Sequence, residues 1–204
     1  MRYQFLVDTY ATERLKVLSV WSMFRDEDLT VRPHATDVRG RSVREQMVHQ
    51  SVREDLWFRS MPGIEVDTAL PERETRPDFI RRYAATSSQR LNALHAQPES
   101  WWESETTFFD TTRSRAWIVV RRIAHTSHHR GQQMALLRML NRDLHSNYGP
   151  TSDTGGLMQN AAPVIYAYPD AEALLEGERA GGRKTVLPGP GDTPSTERPE
   201  AREG

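Results

Sequence analysis

The sequence predicts an all-α protein built as a bundle of four helices, and three observations carry that reading. Apolar residues recur at helical spacing in four separate segments. Helix-start residues stand where the periodicity begins, and Pro and Gly punctuate the gaps between the segments.

The first helix is expected over residues 4–24, where Phe5, Leu6, Tyr10, Leu15, Val17, Leu18 and Trp21 form one apolar face. Residues 25–41 contain Pro33 and Gly40 and read as a loop. Ser42 with Glu45 three positions on makes a capping box, so the second helix starts there and runs to about residue 60, before Pro62 and Gly63. The charged stretch 63–76 is loop. Pro77 suits the first turn of a third helix, which carries Phe79, Ile80, Tyr83, Leu91 and Leu94 and stops before Pro98. The aromatic, threonine-rich run 101–110 suits an extended segment or an irregular lid. The fourth helix, the longest, is expected over residues 113–141, with Trp117, Ile118, Val120, Ile123, Ala124, Leu136, Leu137 and Leu140 as apolar positions.

Beyond Leu144 turn formers dominate; residues 163–168 could form one short strand and 169–178 a brief helix. From Gly181 onward Gly, Pro, Ser, Thr and charge prevail, and a disordered tail is expected. The chain thus divides into a helical bundle over 1–149, an irregular extension over 150–180 and a tail over 181–204.

Composition narrows the function. Apolar residues make up 37% and charged residues 27% of 204 positions, and the formal net charge is −1, so the balance argues against a nucleic-acid groove or an anionic membrane surface. A local cluster of Arg113, Arg115, Arg121 and Arg122 stands out against that balance. The chain has no cysteine, which excludes disulfides, thiolate ligands and a cysteine nucleophile. No stretch approaches the ~20 apolar residues of a membrane span, and the first residues lack the apolar core of a secretory signal. A soluble cytoplasmic protein without nucleic-acid or membrane partners is expected.

The chemistry concentrates in the fourth helix. His125 and His129 are four apart and project from one side, in line with Ile118 and Leu136, seven positions to either side of the pair. His128 is rotated by ~100° from His129 and points elsewhere. In the second helix His49 shares a face with Val52 and Leu56. Neutral imidazole is a good ligand for zinc, nickel, copper or iron. Three protein ligands leave a coordination position open, the pattern of a reactive rather than a structural site. Phase alone makes His49 a plausible partner without proving that the two helices touch. Gln132, one turn from His129, can orient a bound group or face solvent. Glu45 can act as a general base or serve only its cap, and the cap is the preferred reading. Gly131 suits close approach of a helix or ligand, and Arg130 suits helix packing better than anion binding. Trp57, Trp101, Trp102, Phe108 and Phe109 are candidates to roof a pocket, though core is the commoner use; Tyr148 is a candidate to fold over its mouth.

The run AHTSHHRGQQMALLRML followed by SNYGPTSDTGG resembles the signature of the DinB-like family of metal-binding bundles. The family pattern of a histidine, three residues, a second histidine and then Arg-Gly-Gln falls on His125, His129, Arg130, Gly131 and Gln132. Its third ligand, a histidine of helix two, falls on His49 in QMVHQSVREDLW. The wider match runs over about residues 3–149, and the extension from Pro163 lies outside it. The resemblance implies an up-down-down-up four-helix bundle, a zinc or nickel ion on the three histidines, and a homodimer. Relatives include metal-dependent transferases and isomerases that use bacillithiol or mycothiol. It therefore implies a metal-dependent enzyme on a small molecule, thiol-S-transferase-like or hydrolase-like. The alternative is a non-catalytic metal-binding or ligand-sensing bundle. Any thiol would be a low-molecular-weight cosubstrate, since the chain supplies none.

Overall fold

The computed structural model describes residues 2–66 and 69–192. Four long helices make the body: α1 Gln4–Met23, α2 Val43–Ser60, α3 Arg76–His95 and α5 Arg115–Met139. Between α3 and α5 lie a single-turn helix, α4 Glu99–Glu103, and a hairpin of β1 Glu105–Phe108 and β2 Thr111–Ser114; α6 Ala171–Arg179 follows the bundle. The segment read as loop after α1 contains one 3-10 turn, Asp26–Thr30.

The helix starts follow local chemistry. Ser42 Oγ accepts from Glu45 N while Glu45 Oε2 accepts from Ser42 N at 2.8 Å, which satisfies two of the orphan donors of α2. Thr75 caps α3, with Pro77 in the first turn, and Ser114 caps α5 by accepting from Trp117 N. The run 101–110 is neither one extended segment nor a lid. Its first residues close α4, and the rest form the hairpin, with Glu105 facing Ser114 and Phe108 facing Thr111.

Side-chain pairings give the helix directions. Tyr10 meets Arg90 and Arg14 meets Ser87, so α1 and α3 are antiparallel. Glu13 meets Arg130, with Ser127 beside it, while Tyr10 and Arg122 share Glu54; α1 and α5 therefore run the same way. Gln50 meets Gln133 and Glu54 meets Arg122, which sets α2 against α5. The order is up-down-down-up. The parallel pair α2 and α3 forces the chain to return along the bundle over residues 61–75.

Two apolar clusters fill the interior. One gathers Trp21, Met47, Phe79, Tyr83 and Leu137 and extends to Leu174 of α6; the other gathers Leu6, Tyr10, Phe58, Leu94, Trp102 and Val119. Phe5 and Val120, counted on apolar faces, are exposed. Each sits one residue from the buried Leu6 or Val119 and so is turned ~100° away.

A charged layer accompanies the apolar clusters. Glu54 is fully buried and accepts from Tyr10 OH at 2.8 Å and Arg122 Nη2 at 3.1 Å, and Arg90 Nη2 lies 3.2 Å away. Arg90 also donates to Tyr10 OH at 2.8 Å and pairs with Asp55, which Arg82 reaches as well. Burial by itself pushes the Glu54 carboxyl up, but the guanidiniums of Arg90 and Arg122 outweigh it and hold the group below its ordinary range.

After the bundle, residues 163–168 form no strand; Ser146 and Ile165 exchange a backbone pair with one hydroxyl, Ser146 N to Ile165 O at 2.7 Å and Ile165 N to Ser146 Oγ at 2.9 Å. α6 forms as the brief helix anticipated, capped by Asp170. The segment assigned to a tail is described as far as residue 192. Lys184 Nζ donates to Ser22 O, His145 Nε2 meets Thr185 O at 2.7 Å, and Thr154 pairs with Gly189. These polar ties to backbone groups are invisible to hydrophobic patterning. The expectation for 193–204 lies outside the described residues.

The charged layer predicts a steep cost for removing one member. Arg90→Met removes one cationic partner from each of the buried Glu54 and Asp55 and is expected to lower unfolding free energy by about 3–5 kcal/mol. Arg2→Ala, at an exposed pair with Glu103, should change it by less than ~1 kcal/mol. Urea denaturation of the three proteins checks the contrast.

Candidate metal centre

The register of α2 against α5 brings His49 opposite His125 and His129. The possible ligand atoms of the three residues all lie within 4.8 Å of one another. Ring centroids are 5.6 Å apart for His49 and His125, 4.7 Å for His49 and His129, and 4.6 Å for His125 and His129. A tetrahedral ion with nitrogen ligands sets them roughly 3.4 Å apart, a difference that rotation of imidazole side chains can close.

Hydrogen bonding leaves the right atoms free. Gln132 Oε1 can only accept, so His129 carries its proton on Nδ1, 3.2 Å away, which leaves Nε2 bare and able to ligate. The amide nitrogen of Gln132 donates to His128 Nε2 at 3.0 Å, which occupies His128 outside the set. His125 Nδ1 is buried with no partner among the described residues. Three imidazoles with this freedom fit a divalent transition ion.

Electrostatics point the same way. Burial pushes His49 down to about 4, with the Arg41 guanidinium and His129 adding to the effect. Burial and the Arg122 guanidinium take His125 to about 3. For His129 burial is again the main cause; the bond to Gln132 opposes it, and the group settles at about 4. The rings are therefore neutral at physiological pH, the state in which imidazole ligates metal.

Other sequence candidates fall elsewhere. Glu45 serves the α2 cap and an ion pair with Arg32 at 2.5 Å, so its carboxylate is committed away from the centre. Arg130 pairs with Glu13 of α1 and packs the bundle. Gly131 is exposed, and a Cβ there would meet nothing within 4 Å, so close approach is not its purpose. Trp102 is core, stacked on Tyr3, and Trp101 packs edge-on to it. Tyr148 lies under the Lys16 ammonium rather than over the histidines. Trp57 and Phe109 do line a cavity with His49 and His125, and Phe108 packs edge-on to Trp57.

Sequence reasoning singled out Arg122 only within an arginine cluster, without linking it to the triad, and missed Arg53 and the amide pair. Arg53 is one turn beyond His49, and Arg122 is three residues before His125; the helical phase that found the histidines also places these arginines. Both line the cavity beside His49 and His125. Gln133 Nε2 donates to Gln50 Oε1 at 2.7 Å in the interior, so the buried glutamine of the Gln-Gln pair is the second one, while Gln132 is the one that meets the site.

The depressed histidines predict a pH dependence for protein stripped with EDTA. Below the ordinary imidazole pKa of ~6.5 the unfolded chain takes up protons that the folded rings refuse. Stability is fully present above that pH and is lost as pH falls towards about 4, where the folded rings titrate. The thermal midpoint of stripped protein should fall between pH 7 and pH 5, more steeply than in a His49→Ala, His125→Ala, His129→Ala triple variant. Parallel pH profiles would show that the rings are not desolvated.

The fold and the three-histidine geometry can be set beside known proteins. No curated protein matches the chain. A DinB-like protein from Bacillus cereus superposes with a TM-score of 0.55 at 17% identity, covering 71% of this chain and 93% of that one. A DinB-like protein from Bacillus subtilis gives 0.54 at 13% identity, covering 67% and 91%. At such identities the likeness is one of fold. Among the described residues, no helix is long and apolar enough to cross a membrane. The model of the DinB family matches residues 5–153, most of the chain and all three histidines, and the protein belongs to the DinB family.

Proposed function

We propose that this protein is a metal-dependent enzyme that transfers a low-molecular-weight thiol, with zinc or nickel held by His49, His125 and His129. The observation that carries the reading is a set of three neutral imidazoles within reach of one another, two of which, His49 and His125, line a cavity of about 340 Å³ with Arg53 and Arg122 and no carboxylate. Bound there, the ion supplies Lewis acidity towards an oxygen or sulfur donor.

The lining favours a thiol over water as the nucleophile. A thiol of ordinary pKa near 8.5 needs only a small downward shift to ionise at neutral pH, whereas water starts near 15.7. Two guanidiniums favour the anion, and no carboxylate in that cavity could take a proton from water as general base. Gln132 keeps the His129 ring oriented, and Trp57 and Phe109 add apolar surface to the cavity lining. The thiol must come from a small molecule, because the chain has no cysteine. Cytoplasmic location and a homodimeric state belong to the same reading.

Metal analysis of untagged protein should give about one zinc or nickel ion per chain, falling to background in His49→Ala and His129→Ala. Gln132→Ala should weaken metal affinity by about 10–100-fold, the usual effect of removing the bond behind a ligating imidazole. Turnover of a small thiol with electrophilic acceptors should vanish on stripping and return with added ion, while the stripped chain still unfolds cooperatively, since neither core cluster nor the charged layer uses the triad. Wild-type protein without ion would sink the proposal. A stripped chain that no longer folds, together with no thiol turned over, would assign the ion a structural role.

A further inference from the structure

The surroundings of the histidines are rich in unpaired positive charge. Arg41, Arg53 and Arg121 are exposed, and none makes a hydrogen bond or ion pair among the described residues. All three act on the triad electrostatically, Arg41 and Arg53 on His49 and Arg121 on His125, in each case disfavouring the protonated ring. Arg122 shares Glu54 with Arg90, so its charge is only partly matched, and its Nε is buried without a partner. Trp57 Nε1 is a second buried donor without one.

Two cavities adjoin His49, and their charge distinguishes them. The one of about 400 Å³ is lined by Glu45 and Glu74 as well as Arg44 and Arg53, so its charges balance. The one of about 340 Å³ has Arg53 and Arg122 and no acidic residue. Along α2 its lining changes from His49 through Arg53 to Trp57 and Met61, one turn at a time. Since α5 is antiparallel, the step from His125 to Arg122 runs in the same direction, and Phe109 of the hairpin joins the Trp57 region through Phe108. From histidine to tryptophan along α2 the rise is about 12 Å, which suits a short molecule with a polar head and an apolar body.

We infer that the substrate of this centre is a small organic acid whose carboxylate is gripped by Arg53, with Arg122 behind it, and whose apolar body lies along Trp57 towards Phe109. The inference names a substrate class for the proposed function and rests on that reading for the reaction, though not for the binding. A free guanidinium offers one planar fork that matches the two oxygens of a carboxylate. Apolar contact with Trp57, Leu56 and Met61 then selects acids that carry an aromatic or branched body.

Binding of phenylacetate, 2-phenylacetamide and phenyl phosphate to EDTA-stripped protein tests this without any turnover, read by calorimetry and tryptophan fluorescence. Phenylacetate should bind at least about tenfold more tightly than the neutral amide. Arg53→Met should abolish that preference and Arg53→Lys should restore part of it, while Arg59→Met, on an exposed residue outside the cavity, should leave it intact. Trp57→Leu should weaken acid and amide alike and remove most of the fluorescence change. Equal affinities for acid and amide, no saturable binding, a preference that survives Arg53→Met, or tighter binding of phenyl phosphate than of phenylacetate would each overturn the inference. Metal content measured on the same preparations before stripping separates the two readings. An Arg53-dependent preference in a protein that never holds metal supports the acid pocket and defeats the metal enzyme. A metal-loaded protein indifferent to the carboxylate does the reverse.

Discussion

Glu54 is where the four long helices are tied together. Its carboxylate, carried on α2, is bonded by Tyr10 from α1 and Arg122 from α5 and paired with Arg90 from α3. Removing such a charge from water costs several kcal/mol, and only a complete set of partners offsets it. Any sliding of one helix past another would break that set, so the layer fixes register where apolar packing alone would tolerate slips. The site inherits this precision. Five residues back from Glu54 and five forward from Arg122 stand His49 and Ser127, and Ser127 lies midway between His125 and His129. The pairing of Glu54 with Arg122 therefore holds three imidazoles within reach of one another.

Much of this was legible in the sequence because it rests on local chemistry. The Ser42 and Glu45 pair, Pro77 and the apolar spacing mark the helix starts to within a residue or two, and the four-residue step between His125 and His129 marks a shared face. The charged layer was not legible. Glu54, Asp55, Arg90 and Arg122 score as solvent-facing by type, and only their mutual contacts across helices distant in sequence make burial tolerable. The hairpin was missed for a related reason. Its strands are four residues each, and WWESETTFFD mixes a helical turn with a strand, so no single period governs it. His49 gained its partners only when the bundle order was known. Gly131 misled because glycine in a helix has several uses, and here its surroundings are open.

The electrostatics of the centre have one direction. Burial and neighbouring guanidiniums keep the rings neutral, and Gln132 orients His129 with an uncharged amide where a carboxylate would have added negative charge. A divalent ion on such a set keeps its full charge, in contrast to sites where acidic ligands neutralise it. The same guanidiniums that discourage protons on the histidines would attract anions from solvent over about a Debye length, an effect that weakens with salt.

The hairpin and the histidines belong to different layers of the architecture. His49, His125 and His129 stand on long helices locked by Glu54, whereas Phe109 sits at the tip of a two-stranded ribbon in a left-handed conformation, with φ of 54°. Among the described residues the ribbon pairs only with itself as a sheet, and it enters α5 through the Ser114 cap. Its tip can change length or sequence without moving a ligand. Variation of the hairpin tip is thus uncoupled from preservation of the three histidines, and a library confined to residues 108–111 would reshape the cavity rim on an otherwise unaltered chain.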